Sequence, residues 1–142
     1  MTSFNDAWQA ALAAEQQAVF GYSLLGPRLG TADQATARSS LAAHEALRDV
    51  VDAAMTAAGL VPGEPAADYP SLYPVSSASA ARALAVRLEE DCAAAWRFAF
   101  RLATVTTRRR EAQTALTGSA VRATQWRRIA GVTPATTAFP GI

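Results

Sequence analysis

The sequence has one cysteine, almost no net charge and no long apolar run, and each scarcity excludes a class of protein. Cys92 alone cannot form an intramolecular disulfide. Thirteen basic against twelve acidic residues leave a formal charge of +1, which argues against a nucleic-acid-binding domain. No segment approaches the roughly 20 uncharged apolar residues that cross a bilayer, and the N-terminus lacks a signal-peptide profile. We therefore predict a cytoplasmic protein that binds neither nucleic acid nor membrane.

The usual short motifs of enzyme chemistry are also missing. There is no glycine-rich phosphate loop, no zinc-ligand spacing and no serine-histidine-aspartate arrangement. What the chain does have is 142 residues, 51% of them apolar, enough for one domain over 1–142 with its own core. Alanine makes up about a quarter of the chain and all thirteen basic residues are arginine, and both residue types are strong helix formers. The sequence therefore predicts an all-α fold and leaves an enzymatic activity uncertain, with none favoured.

Capping residues, glycines and prolines divide the chain into four predicted long helices. Capping boxes at Ser3 and Thr31 and stop signals at Gly59 and Gly131 predict helices over about 3–26, 31–58, 77–105 and 107–130. We expect Thr106 or Thr107 to cap the last helix. The proline-rich stretch 60–76 cannot be helical, and at about 3.3 Å per residue it can reach about 55 Å, the length of a bundle. We therefore predict one long crossover between helices two and three, anchored by Tyr69, Leu72 and Tyr73.

The predicted core face of each helix is interrupted by an ionisable residue about halfway along. The apolar positions recur every three or four residues, and the interrupting residues are Glu15, His44, Arg48, Glu89 and Arg122. Midpoints of packed helices of similar length lie at similar depth, so these side chains should converge. Buried charges must pair or bind a metal. We interpret the five residues as a polar-core network.

Several segments resemble a bacterial ferritin-like domain family of unknown function (domain of unknown function 4439). The resemblance spans nearly the whole chain and rests on Glu15-Gln-Gln-Ala-Val-Phe-Gly-Tyr22, Ala43-His-Glu-Ala-Leu-Arg-Asp49, Leu88-Glu-Glu-Asp-Cys-Ala-Ala-Ala95, Arg122-Ala-Thr-Gln-Trp126 and the ending Ala138-Phe-Pro-Gly141. It implies a ferritin-like four-helix bundle and no established activity.

The sequence departs from the ferritin-like di-iron pattern of one Glu on each of two helices and Glu-x-x-His on the other two. The second helix offers Glu45-x-x-Arg48, and the fourth has Arg122 at its centre. Arginine cannot ligate a metal. We therefore expect no cofactor, and predict that Arg48 and Arg122 each pair with Glu15 or Glu89 while His44 is a hydrogen-bonded core residue.

Three functions remain open from the sequence. The favoured one is a binding or scaffold protein that we expect to form a homodimer, with an unknown protein or small-molecule partner. The second is a metal-dependent oxidoreductase holding iron or manganese with Glu15, His44 and Glu89. The third is a carrier of a small apolar ligand in a cavity between the helices.

Overall fold

The protein is a bundle of four long helices, described over all of residues 1–142 by a computed structural model. Helix α1 spans Phe4–Leu25, α2 Thr31–Ala57, α3 Ala78–Leu102 and α4 Thr106–Ala130. Two short 3-10 turns, Gly26–Arg28 and Pro70–Leu72, lie in the connections, and there are no strands. The predicted all-α four-helix class is confirmed. None of the helices combines the length and the apolar character needed to cross a membrane.

Side chains cap the N-terminal ends of α1 and α3 but not those of α2 and α4. The Ser3 hydroxyl accepts from the backbone N–H of Asp6 while the Asp6 carboxylate accepts from that of Ser3, so the predicted capping box is confirmed. Ser77 caps α3 in the same way. The predicted threonine caps are wrong, because Thr31 and Thr106 already lie inside their helices and the cap positions are Gly30 and Val105, neither with a side-chain cap.

The long connection between α2 and α3 runs the length of the bundle along α1. Gln9, near the start of α1, donates to the backbone carbonyl of Val61 at 2.8 Å. Farther along the same helix, the Phe20 ring lies 5.1 Å from the Tyr69 ring. Because the connection passes from one end of α1 toward the other, α3 starts at the end of the bundle where α2 starts.

The ion pair between Asp33 and Arg82, at 2.9 Å, joins residues near the starts of α2 and α3, so these two helices run parallel. This is the predicted crossover topology. Of the predicted anchors, Leu72 is buried, Tyr69 is half-buried and Tyr73 is 48% exposed, although its ring still lies near Phe20.

The core has two apolar halves separated by a polar layer. One half is built around Tyr22, Leu25, Leu88 and Trp126, and the other around Trp8, Leu12, Val51, Met55 and Trp96. Helix α1 packs on α2 and α3, and α3 packs on α4, whereas α2 and α4 come close at few positions. The seam between α2 and α4 is therefore the loosest of the bundle and leaves a groove.

Candidate functional site

The polar layer at the centre of the bundle receives one ionisable side chain from each helix. They are Glu15 from α1, His44 from α2, Glu89 from α3 and Arg122 from α4. The side chains of the first three are fully buried, and that of Arg122 is 19% exposed. The structure thus brings together four of the five residues singled out from the sequence.

His44 bridges the two carboxylates. Its Nδ1 lies 2.5 Å from Oε2 of Glu15, and its Nε2 lies 2.8 Å from Oε1 of Glu89. A neutral imidazole carries one N–H, whereas an imidazolium carries two. Because both ring nitrogens face carboxylate oxygens, the geometry is fully satisfied only when His44 is protonated and donates to both acids.

The electrostatics of the site agree with a protonated His44. Burial alone would lower the pKa of His44, but its hydrogen bonds to Glu15 and Glu89 and their charges outweigh burial and raise this pKa to about 9. Burial would likewise raise the pKa of Glu89, yet His44, Arg122 and the Tyr22 hydroxyl hold it below its usual value. At neutral pH the site therefore contains an imidazolium between two carboxylates.

Arg122 supplies the second positive charge. Its Nε donates to both carboxylate oxygens of Glu89, at 3.2 and 3.1 Å, and its Nη2 donates to the Ser119 hydroxyl at 3.3 Å. With His44 protonated, two cations face two carboxylates, so the buried layer is electrically neutral. Neutrality matters because an uncompensated buried charge costs several kcal/mol or more.

Two aromatic residues complete the network by a reciprocal exchange between α1 and α3. Tyr22 lies seven residues after Glu15 on α1, and Trp96 lies seven residues after Glu89 on α3. The Tyr22 hydroxyl donates to Glu89 at 2.6 Å, and the Trp96 indole N–H donates to Glu15 at 2.8 Å. Each helix thus provides an acid and a donor for the other helix's acid.

Tyr22 and Trp96 belong to the site, although the sequence pattern did not single them out. The available signal was the seven-residue spacing, which is two helical turns and places each aromatic on the same face as its helix's glutamate. A phenol or indole that is buried seeks a hydrogen-bond partner for its polar atom. The Tyr22 ring also stacks on the imidazole of His44, with ring centroids 5.6 Å apart.

Arg48 does not join the site, so its predicted pairing with Glu15 or Glu89 is wrong. Its Nε donates instead to the neighbouring Asp49 at 2.9 Å, and its side chain is 34% exposed. His44 already occupies the space between the acids, and Arg48, one turn farther along α2, extends toward solvent. The cation from α2 is the imidazolium rather than the guanidinium.

Cys92 lies beside the cluster, and its sulfur is within 4.8 Å of ligand atoms of Glu15 and His44. Burial, reinforced by the two glutamates, raises the pKa of the Cys92 thiol well above its usual value. Metal ligation and nucleophilic attack both use the thiolate. The thiol instead donates to the backbone carbonyl of Ala14, at 3.5 Å, and this agrees with a neutral packing role.

Comparison with known proteins places the chain in a family. The model of a domain of unknown function, DUF4439, matches residues 7–142. The chain belongs to this family. It is also similar to the crystal structure of a conserved hypothetical protein, rv2844, from Mycobacterium tuberculosis, with 37% sequence identity, a TM-score of 0.86, and coverage of 89% of this chain and 96% of that one. No curated protein matches the chain.

The donor set of this family member does not fit a two-metal centre of the ferritin-like kind. Such a centre pairs each of two histidines with a glutamate three residues earlier. Three residues before His44 stands Leu41, and on α4 the corresponding pair is Ser119 and Arg122. His44 therefore sets the inward register of α2, and Glu45, the acid of the Glu45-x-x-Arg48 segment, is exposed.

A groove of about 640 Å³ opens between α2 and α4 and reaches Arg122. Three apolar or small residues of α2 form one wall and a mixed face of α4 forms the other: Ala43, Leu47, Val50, Thr107, Arg110, Glu111, Thr114, Ala115, Gly118 and Arg122. Its volume is within the range of ligand pockets. Through Arg122 it is the solvent-facing side of the otherwise enclosed polar layer.

Proposed function

We propose that this protein is a non-catalytic binding protein, in which His44 and Arg122 take the place that metal ions hold in ferritin-like enzymes. The main support for this proposal is that both ring nitrogens of His44 face carboxylates while Nε of Arg122 donates to both carboxylate oxygens of Glu89. Such a layer needs no metal for neutrality. The interpretation as a degenerate ferritin-like protein rests on the sequence resemblance together with this arrangement.

The accessibility of the layer supports binding over catalysis. A catalytic acid or base must reach a substrate atom within hydrogen-bond distance. Glu15, His44 and Glu89 are fully buried, and their polar atoms are engaged with one another or with Tyr22, Trp96 and Arg122. The groove between α2 and α4, by contrast, is open and reaches Arg122. We therefore place the interaction with a partner in the groove and assign a structural role to the buried layer.

The second candidate is a metal-dependent oxidoreductase, which the convergence of Glu15, His44 and Glu89 favours. Binding of iron or manganese there would require His44 to lose a proton, because imidazole ligates as the neutral form. Arg122 would then lie against the metal as a like charge unless it left Glu89. Both steps oppose the pairing that makes the present layer neutral, so we rank this function below binding.

The deciding experiment is a metal titration. We expect protein purified without chelator to contain no stoichiometric iron or manganese, and its melting temperature to stay unchanged when Fe²⁺ (anaerobically) or Mn²⁺ is added. Near-stoichiometric metal that disappears in Glu15→Gln but persists in Glu45→Gln would overturn the proposal in favour of the oxidoreductase. Glu45 is the matched control because it is an exposed glutamate next to His44.

The remaining expectations, a homodimer and a cytoplasmic location, stay predictions. Exposed apolar side chains on the outer side of the bundle, such as Phe98 and Val121, are compatible with self-association. Sedimentation velocity over a range of protein concentrations tests the dimer, and a single monomeric boundary throughout would contradict it.

A further inference from the structure

Arg122 has a donor that the protein does not use. Its Nε is committed to Glu89 and its Nη2 to Ser119, but Nη1 donates to no protein atom. Among side-chain nitrogen and oxygen atoms that are buried from solvent, only the indole N–H of Trp8 lacks a partner. Nη1 is therefore solvent-accessible, and it reaches solvent through the groove between α2 and α4.

Gly118 keeps that donor open. A Cβ added to Gly118 would lie 3.3 Å from Nη1 of Arg122, closer than side chains ordinarily pack. Glycine inside a helix is less favourable than alanine because its backbone loses more freedom on folding. Gly118 lies well within α4 and has no positive φ to explain it. Its effect here is to leave space for a group next to the free guanidinium nitrogen.

The rest of the groove combines apolar walls with an excess of positive charge. Leu47, Val50 and Ala115 supply the apolar surface, and Val50 is 59% exposed. Arg110 lines the groove and forms no ion pair, whereas the nearby Glu111 is already paired with Arg108 at 3.3 Å. An occupant with an apolar body and one negative end matches both features.

We propose that the groove between α2 and α4 binds an amphipathic monocarboxylate, whose carboxylate accepts from Nη1 of Arg122 while its apolar body lies along Leu47, Val50 and Ala115. The inference rests on the proposed binding function. A monoanion fits because Arg122 already shares its charge with Glu89 and offers one free nitrogen.

The first test uses decanoate as the probe, below its micellar concentration, with 1-decanol and decyl phosphate as comparison arms. We expect decanoate to bind and to shift the Nε–H resonance of Arg122, identified from its loss in Arg122→Lys. Because 1-decanol has no carboxylate to accept a charge-assisted hydrogen bond from Arg122, it should bind about tenfold or more weakly than decanoate. Equal binding of decanol would overturn the proposal in favour of a purely apolar carrier, and tighter decyl phosphate would overturn the choice of carboxylate.

The second test places the ligand in the groove. Gly118→Leu fills the space beside Nη1 without removing Arg122, and we expect decanoate affinity to fall about tenfold or more. Thr117→Leu is the matched control, because Thr117 is the preceding, exposed residue and lines a recess beside Phe100 and Val121 instead. Unchanged affinity in a folded Gly118→Leu, or equal losses in both variants, would overturn the assignment.

Val50→Asp keeps the groove test decisive if Gly118→Leu does not fold. Val50 lines the groove, is 59% exposed and lies outside the buried layer, so a carboxylate there should weaken decanoate several-fold by removing apolar contact and repelling the ligand; unchanged affinity would again contradict the proposal. Failure of this inference is distinguishable from failure of the proposed function. Stoichiometric metal in the titration described above refutes the function, whereas absence of both metal and decanoate binding refutes the carboxylate groove alone.

Discussion

Arg122 donates from Nε to both carboxylate oxygens of Glu89, at 3.2 and 3.1 Å, across the contact between α4 and α3. The carboxylate of Glu89 also accepts from His44 and Tyr22. Glu89 thus accepts hydrogen bonds from donors on the three other helices. Of these donors, Arg122 is the one that also lines the groove. The stability of the buried layer and access to the groove consequently depend on the same guanidinium.

The Arg122–Glu89 pair should be strongly coupled. Because Arg122→Leu leaves the Glu89 carboxylate with one cation fewer in the core, we expect a loss of about 3 to 5 kcal/mol in the free energy of unfolding. Glu89→Leu should cost a similar amount. The double variant should be more stable than the sum of the two losses predicts, as measured by urea denaturation.

Arg48→Leu is the control for this cycle. Arg48 pairs only with the exposed Asp49, and exposed ion pairs contribute about 0 to 1 kcal/mol. We expect its unfolding free energy to stay within that range of the wild-type value. Additive losses for Arg122 and Glu89, or a loss for Arg48 as large as that for Arg122, would refute the pairing described here.

Stability should fall on the alkaline side of neutrality. The pKa of His44 is about 9 when folded against 6.5 as its ordinary value, so the stabilisation is fully present below pH 6.5 and is lost as the pH rises through 9. The total change is on the order of 3 kcal/mol. The lowered pKa of Glu89 acts in the opposite sense, and its contribution is lost as the pH falls below 4.5, its ordinary value.

Urea denaturation from pH 4 to 10 checks this profile, which should be highest between the ordinary pKa values of the two groups, 4.5 and 6.5. His44→Gln should remove most of the slope between pH 6.5 and 9, because His44 is the group whose pKa is raised across that range. Above pH 9 the buried thiol of Cys92 should add a loss of its own, since its pKa is also raised. A wild-type free energy of unfolding that is flat between pH 6.5 and 9 would show that His44 is neutral in the folded protein.

The sequence could predict much of this site because helical periodicity fixes which residues share a face. Glu15, His44, Glu89 and Arg122 lie on or beside apolar stripes whose members recur every three or four residues. Helix count and the crossover followed from glycine, proline and capping signals. The threonine caps failed because a helix can start one residue earlier on backbone geometry alone, as it does after Gly30 and Val105.

The sequence could not predict how deeply each polar side chain is buried or which partner it contacts. Arg48 lies one turn from His44 on nearly the same face, and only the structure shows that its side chain turns to solvent and pairs with Asp49. The exchange between Tyr22 and Trp96 depends on how α1 and α3 are aligned, and one chain's periodicity carries no information about that alignment. The groove is likewise a property of the spacing between two helices.

Cys92 should be unreactive in the folded protein. Its side chain is fully buried and burial raises its pKa, so attack by a thiol reagent requires the bundle to open. As the chain's only cysteine it gives a single readout. We expect labelling by a disulfide reagent to be slow in buffer, immediate in urea, and faster in His44→Gln than in wild type. Immediate labelling of the native protein would contradict the enclosed layer.

The two buried tryptophans offer the sharpest comparison of the network with simple packing. Trp8 and Trp96 are each 1% exposed and lie in the same half of the core, but only Trp96 uses its indole N–H, which donates to Glu15. The indole N–H of Trp8 has no partner. Substitution by phenylalanine removes similar apolar volume at both sites. Only at Trp96 does it also leave a carboxylate oxygen without its donor, at a cost of about 1 to 3 kcal/mol.

We therefore expect Trp96→Phe to lower the free energy of unfolding by about 1 to 3 kcal/mol more than Trp8→Phe. Because the unpaired oxygen of Glu15 then depends more on His44, the difference between the variants should grow as the pH rises toward 9, where His44 loses its proton. Paired urea titrations at pH 6.5 and 9 measure both effects. If Trp96→Phe and Trp8→Phe lost the same free energy of unfolding at pH 6.5 and again at pH 9, Glu15 would not depend on the indole N–H. Trp96 would then contribute packing alone.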